Sequence, residues 1–115
     1  MGFVAESIFL MKRNEFVSAA KLLESHLNDV GLKPASRIGI MAWIAECYVK
    51  SEDLQSAGKW YEMAGKTALA CKELAKEVRE KRAILEFEQA ITYYEAVDDV
   101  SGMSRAATLK YSLLR

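Results

Sequence analysis

Lys72, Lys76, Arg79 and Arg82 are spaced four, three and three residues apart. On a helix that spacing gathers them on one side, with Glu73, Glu77 and Glu80 beside them. A cationic strip of this kind suits carboxylates, either the acidic side chains of a peptide or the terminal carboxylate of a chain, held by charge-assisted hydrogen bonds. The competing reading is a solvated helix face, where a pair such as Glu77 and Lys81 at i,i+4 contributes only a few tenths of a kcal/mol. Groups suited to breaking covalent bonds are sparse. His26 is the single histidine, with no cysteine or acid pair near it at ligand spacing, so no metal site is expected. There is no glycine-rich phosphate loop, no Gly-x-Ser-x-Gly turn and no Cys-His pairing close in sequence. The acid pairs Glu52-Asp53 and Asp98-Asp99 fall in expected helix-helix corners, where solvated turn and helix-start acids are ordinary. The inventory points away from an enzyme, and no cofactor is implied.

The elements that must carry these groups all read as helices. Phe3, Val4, Ser7, Ile8, Leu10 and Met11 make 2–12 a short amphipathic helix, with Asn14 as N-cap of the next. That second helix, 15–30, turns Phe16, Ala19, Ala20, Leu23 and Leu27 inward and stops at Gly31, suited to a left-handed C-cap. Pro34 opens a third helix over 35–50, and a fourth covers 53–64 with Gly65 as its stop. No glycine or proline follows until Gly102. The apolar phase still shifts: Cys71, Leu74, Ala75 and Val78 lie on a side rotated by about 160° from Ile84, Phe87, Ala90, Ile91, Tyr94 and Val97. That shift predicts two helices, 67–82 and 84–97, with a turn near 81–85. A last helix, capped by Ser101, starts at Gly102 and carries Met103, Ala106, Leu109, Leu113 and Leu114.

The stretch from Ile44 to Ala64 is the most ordered of these patterns. Ile44, Ala45 and Tyr48 share one helical face, Ala57, Tyr61 and Ala64 share another, and Ser51-Glu52-Asp53 forms the corner between them. In order and spacing this hairpin resembles the tetratricopeptide repeat, a helix-turn-helix unit of about 34 residues. Phe16, Ala19 and Leu23 match Leu54, Ala57 and Tyr61 as a degraded first copy, and Gln89-Ala90-Ile91-Thr92-Tyr93-Tyr94 resembles the second helix of a third. The resemblance implies an all-α fold, antiparallel helical hairpins in a right-handed superhelix, with about three repeats and six to seven helices. It also implies a concave groove lined by Ala42, Glu46 and Val49 together with Lys72, Lys76, Arg79 and Arg82. Where chaperone-binding relatives carry an asparagine and lysine carboxylate clamp, this chain has Ala42, Trp43 and Glu46. The implied function is a protein interaction scaffold whose groove binds a partner protein or acidic peptide. The alternative is self-association, a homodimer through the C-terminal helix.

Composition narrows the classes further. The 115 residues suit one domain spanning 1–115, and 51% hydrophobic residues argue against disorder. Sixteen basic residues face sixteen acidic ones, so no overall field favours nucleic acid. No leader peptide or membrane span is expected near the start, where the apolar run covers only Ile8 to Met11. Cys47 and Cys71 lie apart among helical apolar residues and are expected to be reduced and buried, which suits a cytoplasmic protein.

Overall fold

The computed structural model describes residues 2–114. It is all-α, with six helices: α1 (Phe3–Lys12), α2 (Phe16–Ser25), α3 (Pro34–Lys50), α4 (Leu54–Ala70), α5 (Lys76–Ala96) and α6 (Val100–Ser112). Each helix packs chiefly against the one before and the one after it. The result is a slab of 44 × 34 × 17 Å.

Three corners share one backbone conformation. Asn14, Glu52 and Asp98 take φ of 62°, 65° and 56°, the left-handed region, one residue past a helix C-cap. In each corner the next N–H reaches back five residues to a carbonyl: Glu15 to Leu10, Asp53 to Tyr48 and Asp99 to Tyr94, all at 2.9 Å. This is the Schellman closure of a helix, here made without glycine. The corners pair the helices as α1 with α2, α3 with α4, and α5 with α6. A second feature keeps the same register. Tyr48 Oη donates to Glu24 at 2.9 Å and Tyr94 Oη donates to Glu62 at 2.6 Å. In both cases a tyrosine four residues before one corner reaches a glutamate ten residues past the preceding corner. Tyr94 therefore corresponds to Tyr48, and the segment 89–94 belongs to the first helix of its hairpin, not the second as expected.

Local signals set several boundaries. Pro34 occupies the first turn of α3, and the Asp53 and Asp99 side chains accept from the N–H groups of Ser56 (3.1 Å) and Gly102 (2.9 Å). The cap of α6 is therefore Asp99 rather than Ser101. Asn14 forms the left-handed corner rather than an N-cap. α2 ends at Ser25, short of residue 30. Beyond it a series of turns folds Leu27 into the core and stacks His26 on Phe3 at 4.4 Å. Gly31 is not left-handed.

The largest corrections concern 65–85. α4 runs through Gly65 to Ala70, and α5 runs unbroken through the expected turn at 81–85. The break lies instead at 71–75, without glycine or proline. Burial decides it: Cys71 is 4% exposed, Leu74 packs beside it on Ile38, Ala68, Ala83 and Phe87, and Glu73 accepts from the Ala35 N–H at 3.3 Å. These contacts outweigh the helix preference of Lys72-Glu73-Leu74-Ala75. The phase shift expected between two helices was a comparison of a helix with a connection. Gly65 lies within α4 because a ring crosses it: a Cβ there would sit 2.5 Å from Phe87 Cε1.

The core is a string of three clusters. Leu23, Ile44, Cys47 and Tyr48 centre the first, Ile38, Ala83 and Phe87 the second, and Ala45, Tyr61, Ala90 and Tyr94 the third. Tyr94 locks the last joint. Its ring lies between Gly58 and Gly102, where added Cβ atoms would approach to 2.9 and 2.7 Å. Its hydroxyl meets Glu62, which Arg105 also donates to from α6 through Nε and Nη2, both at 3.2 Å.

Candidate partner-binding cleft

Gly39, Ala42, Trp43 and Glu46 recur at three- and four-residue steps along α3 and so share one face. Leu85, Glu86 and Gln89 do the same on α5. Between these faces lies an open cleft of about 420 Å³ that Tyr61 of α4 also lines. Its apolar wall includes Trp43 and Leu85, the latter 60% exposed.

The charged groups in the cleft are acidic. Tyr61 Oη donates to Glu46 at 2.6 Å, and its ring stacks on Tyr93 at 5.7 Å. Burial holds the Tyr61 phenol well above its usual range, and the Glu46 hydrogen bond and charge add to it, as does the charge of Glu86. Glu46 is exposed, so this bond stands at the cleft surface. Glu86 is 7% exposed. Its Oε1 accepts from Arg82 Nε at 3.1 Å, one turn back on α5, while its buried Oε2 has no partner. Burial raises the Glu86 pKa, and Arg82 offsets only part of that rise. A buried carboxylate oxygen without a donor is costly, so this atom is chemically open.

The residues expected to line the groove separate into two sets. Ala42 and Glu46 line the cleft, whereas Val49 is half-buried against the first and third clusters. Lys72 lies in the 71–75 connection, not on a helix, and Lys76 begins α5; both are exposed. Arg79 is half-buried and Arg82 is taken up by Glu86. None of the four lines the cleft. Sequence reasoning missed Leu85, Glu86 and Gln89, because it placed a turn where α5 is continuous. The Tyr61 ring packs in the third core cluster, while its hydroxyl meets Glu46 at the cleft surface.

Other chemistry is limited. His26 Nδ1 lies 2.6 Å from Asp29 at the end of α2. Cys47 and Cys71 are free and buried, and burial pushes the Cys47 thiol up to about 11. Among the described residues no three acids, cysteines or histidines converge to hold a metal, and no helix is long and apolar enough to cross a membrane. No family model, curated protein or solved structure matches the chain.

Proposed function

We propose that this protein is an interaction scaffold of the tetratricopeptide-like kind, holding a segment of a partner protein in the cleft between α3 and α5. The observation that supports it is the cleft itself. Its volume of about 420 Å³ falls in the range of binding sites, and apolar and polar side chains line it together. The two walls come from the first helices of successive hairpins, the surface that the resemblance makes concave. A right-handed superhelical arrangement and a cytoplasmic location belong to the same proposal. The location rests on two free, buried cysteines in a chain that carries no disulfide.

Gly39 offers a direct test. A Cβ there meets nothing within 4 Å, so Gly39→Trp fills the cleft without displacing the core. Short random peptides selected on the full chain should bind it and fail to bind the Gly39→Trp variant. Peptides that bind both equally would place recognition elsewhere.

A second reading has its own observation. Tyr111, in the last turn of α6, and Leu114, just past it, are 63% and 55% exposed, as a self-associating face would be. Sedimentation of the full chain over a range of concentrations, beside Tyr111→Glu, separates the two: a dimer lost in the variant supports self-association.

A further inference from the structure

We propose that the cleft recognises an arginine side chain of its partner, with the stem between Trp43 and Leu85 and the guanidinium between Glu86 and Glu46. The inference rests on the cleft being the binding surface and adds the chemistry of what enters it.

Charge is the first argument. The expected ligand was acidic, but the cleft is lined by two carboxylates, and none of the four basic residues that would have attracted an acidic peptide faces it. Arg82 balances Glu86, which leaves one negative charge, Glu46, for an incoming cation to match.

The second argument is the unpartnered oxygen. Glu86 is a built-in acceptor, nine-tenths buried on α5, with Oε1 fixed by Arg82 and Oε2 without a donor among the described residues. Its side chain lines the cleft, and Oε2 is the carboxylate oxygen left for a donor arriving there. Across the cleft Tyr61 uses its only proton on Glu46, which fixes that carboxylate but leaves it lone pairs to spare. Two held carboxylates on opposite walls suit a donor that is planar and carries several N–H groups.

Shape is the third. A long apolar stem with a charged tip fits a cleft lined by the apolar Trp43 and Leu85 beside Glu46 and Glu86. Arginine fits better than lysine. Its guanidinium presents five donors in a fixed plane, stacks on aromatic faces such as that of Trp43, and is more weakly hydrated on entering a partly buried site.

The test begins with the peptides selected on the full chain. Each arginine is replaced by citrulline, which has the same shape but no charge, and affinities are measured by calorimetry for the native chain, Glu86→Gln and Glu46→Gln. The expected result is a loss of about tenfold or more on citrulline replacement, the scale of one charge-assisted hydrogen bond, and a similar loss in Glu86→Gln. Both glutamine variants are isosteric, and circular dichroism confirms that they fold. In the Glu46→Gln variant the citrulline replacement should cost much less, because the charge that the cation matches is gone. Peptides that Gly39→Trp excludes, yet that bind equally well with citrulline or carry no arginine, would overturn the inference and leave the scaffold standing. Peptides indifferent to Gly39→Trp, or no peptide at all, would overturn both.

Discussion

Gly39 and Gly65 should respond oppositely to the same substitution. Both are helical, at exposed and buried positions, and in each alanine removes the cost of glycine in a helix, about 1 kcal/mol. At Gly39 nothing lies within 4 Å of the added Cβ, so Gly39→Ala should be about 1 kcal/mol more stable than the native chain. At Gly65 three atoms of the Phe87 ring lie 2.5, 2.7 and 2.9 Å from the added carbon. That ring is fully buried among Ile38, Ala68 and Ala83 and has no free space to move into. Overpacking of this kind costs about 1–3 kcal/mol, and contacts this short belong at the upper end. Subtracting the helix gain leaves Gly65→Ala about 2 kcal/mol less stable than the native chain, and the two variants about 3 kcal/mol apart. At about 4 °C per kcal/mol the melting temperatures should differ by about 12 °C. Urea unfolding followed by circular dichroism measures this directly. Removing the ring supplies the control: in a Phe87→Leu background Gly65→Ala should lose most of its penalty. Gly65→Ala as stable as the native chain, or equally unfavourable in both backgrounds, would refute the close crossing of α4 and α5.

Glu52 pays the left-handed cost of a corner without glycine, so Glu52→Gly should gain about 0.5–1 kcal/mol in urea unfolding, while Lys59→Gly, inside α4, should lose about 1 kcal/mol. Tyr94→Phe removes the hydroxyl from Glu62 and should cost about 1–2 kcal/mol by the same measurement. Burial alone would raise the pKa of Glu62, but hydrogen bonds from Arg105, Tyr94 and Lys66 outweigh it and hold its carboxyl below 4.5. Its stabilising effect is thus present above 4.5 and lost as pH falls through the lowered folded value, so melting temperatures should fall more steeply in acid for the native chain than for Glu62→Gln. Glu86 has the opposite sign. Burial, partly offset by Arg82, lifts its folded pKa above 4.5, so its favourable contribution exists below 4.5 and is lost as pH rises through the folded value. Glu86→Gln should therefore melt above the native chain at neutral pH, and the gap should close in acid; a variant that melts lower at neutral pH would contradict this.

The all-α class and the positions of α1, α3 and the corners at 12–14 and 51–53 were legible because each rests on short-range signals, such as Pro34 and the alternation of apolar faces. The 71–75 break was not legible, since what makes it is the burial of Cys71 and Leu74 against helices distant in sequence. Gly65 misled for a related reason. A glycine that ends a helix and a glycine that admits a crossing ring look alike until the ring is placed. Of the residues that line the cleft, Ala42 and Glu46 came from the repeat resemblance, which makes that face of α3 concave. Glu86 did not, because an acid inside a charged run carries no local mark of being buried.

The tyrosine-to-glutamate ties suggest how this architecture could be lengthened by design. Each tie needs a glutamate ten residues past a corner, and the third corner offers Thr108 at that place, exposed on α6. A hairpin grafted after α6 would meet a short hydroxyl where its own tyrosine requires a carboxylate. Exchanging Thr108 for glutamate would renew the coupling site, making a single side chain the connector that decides whether another module can lock on.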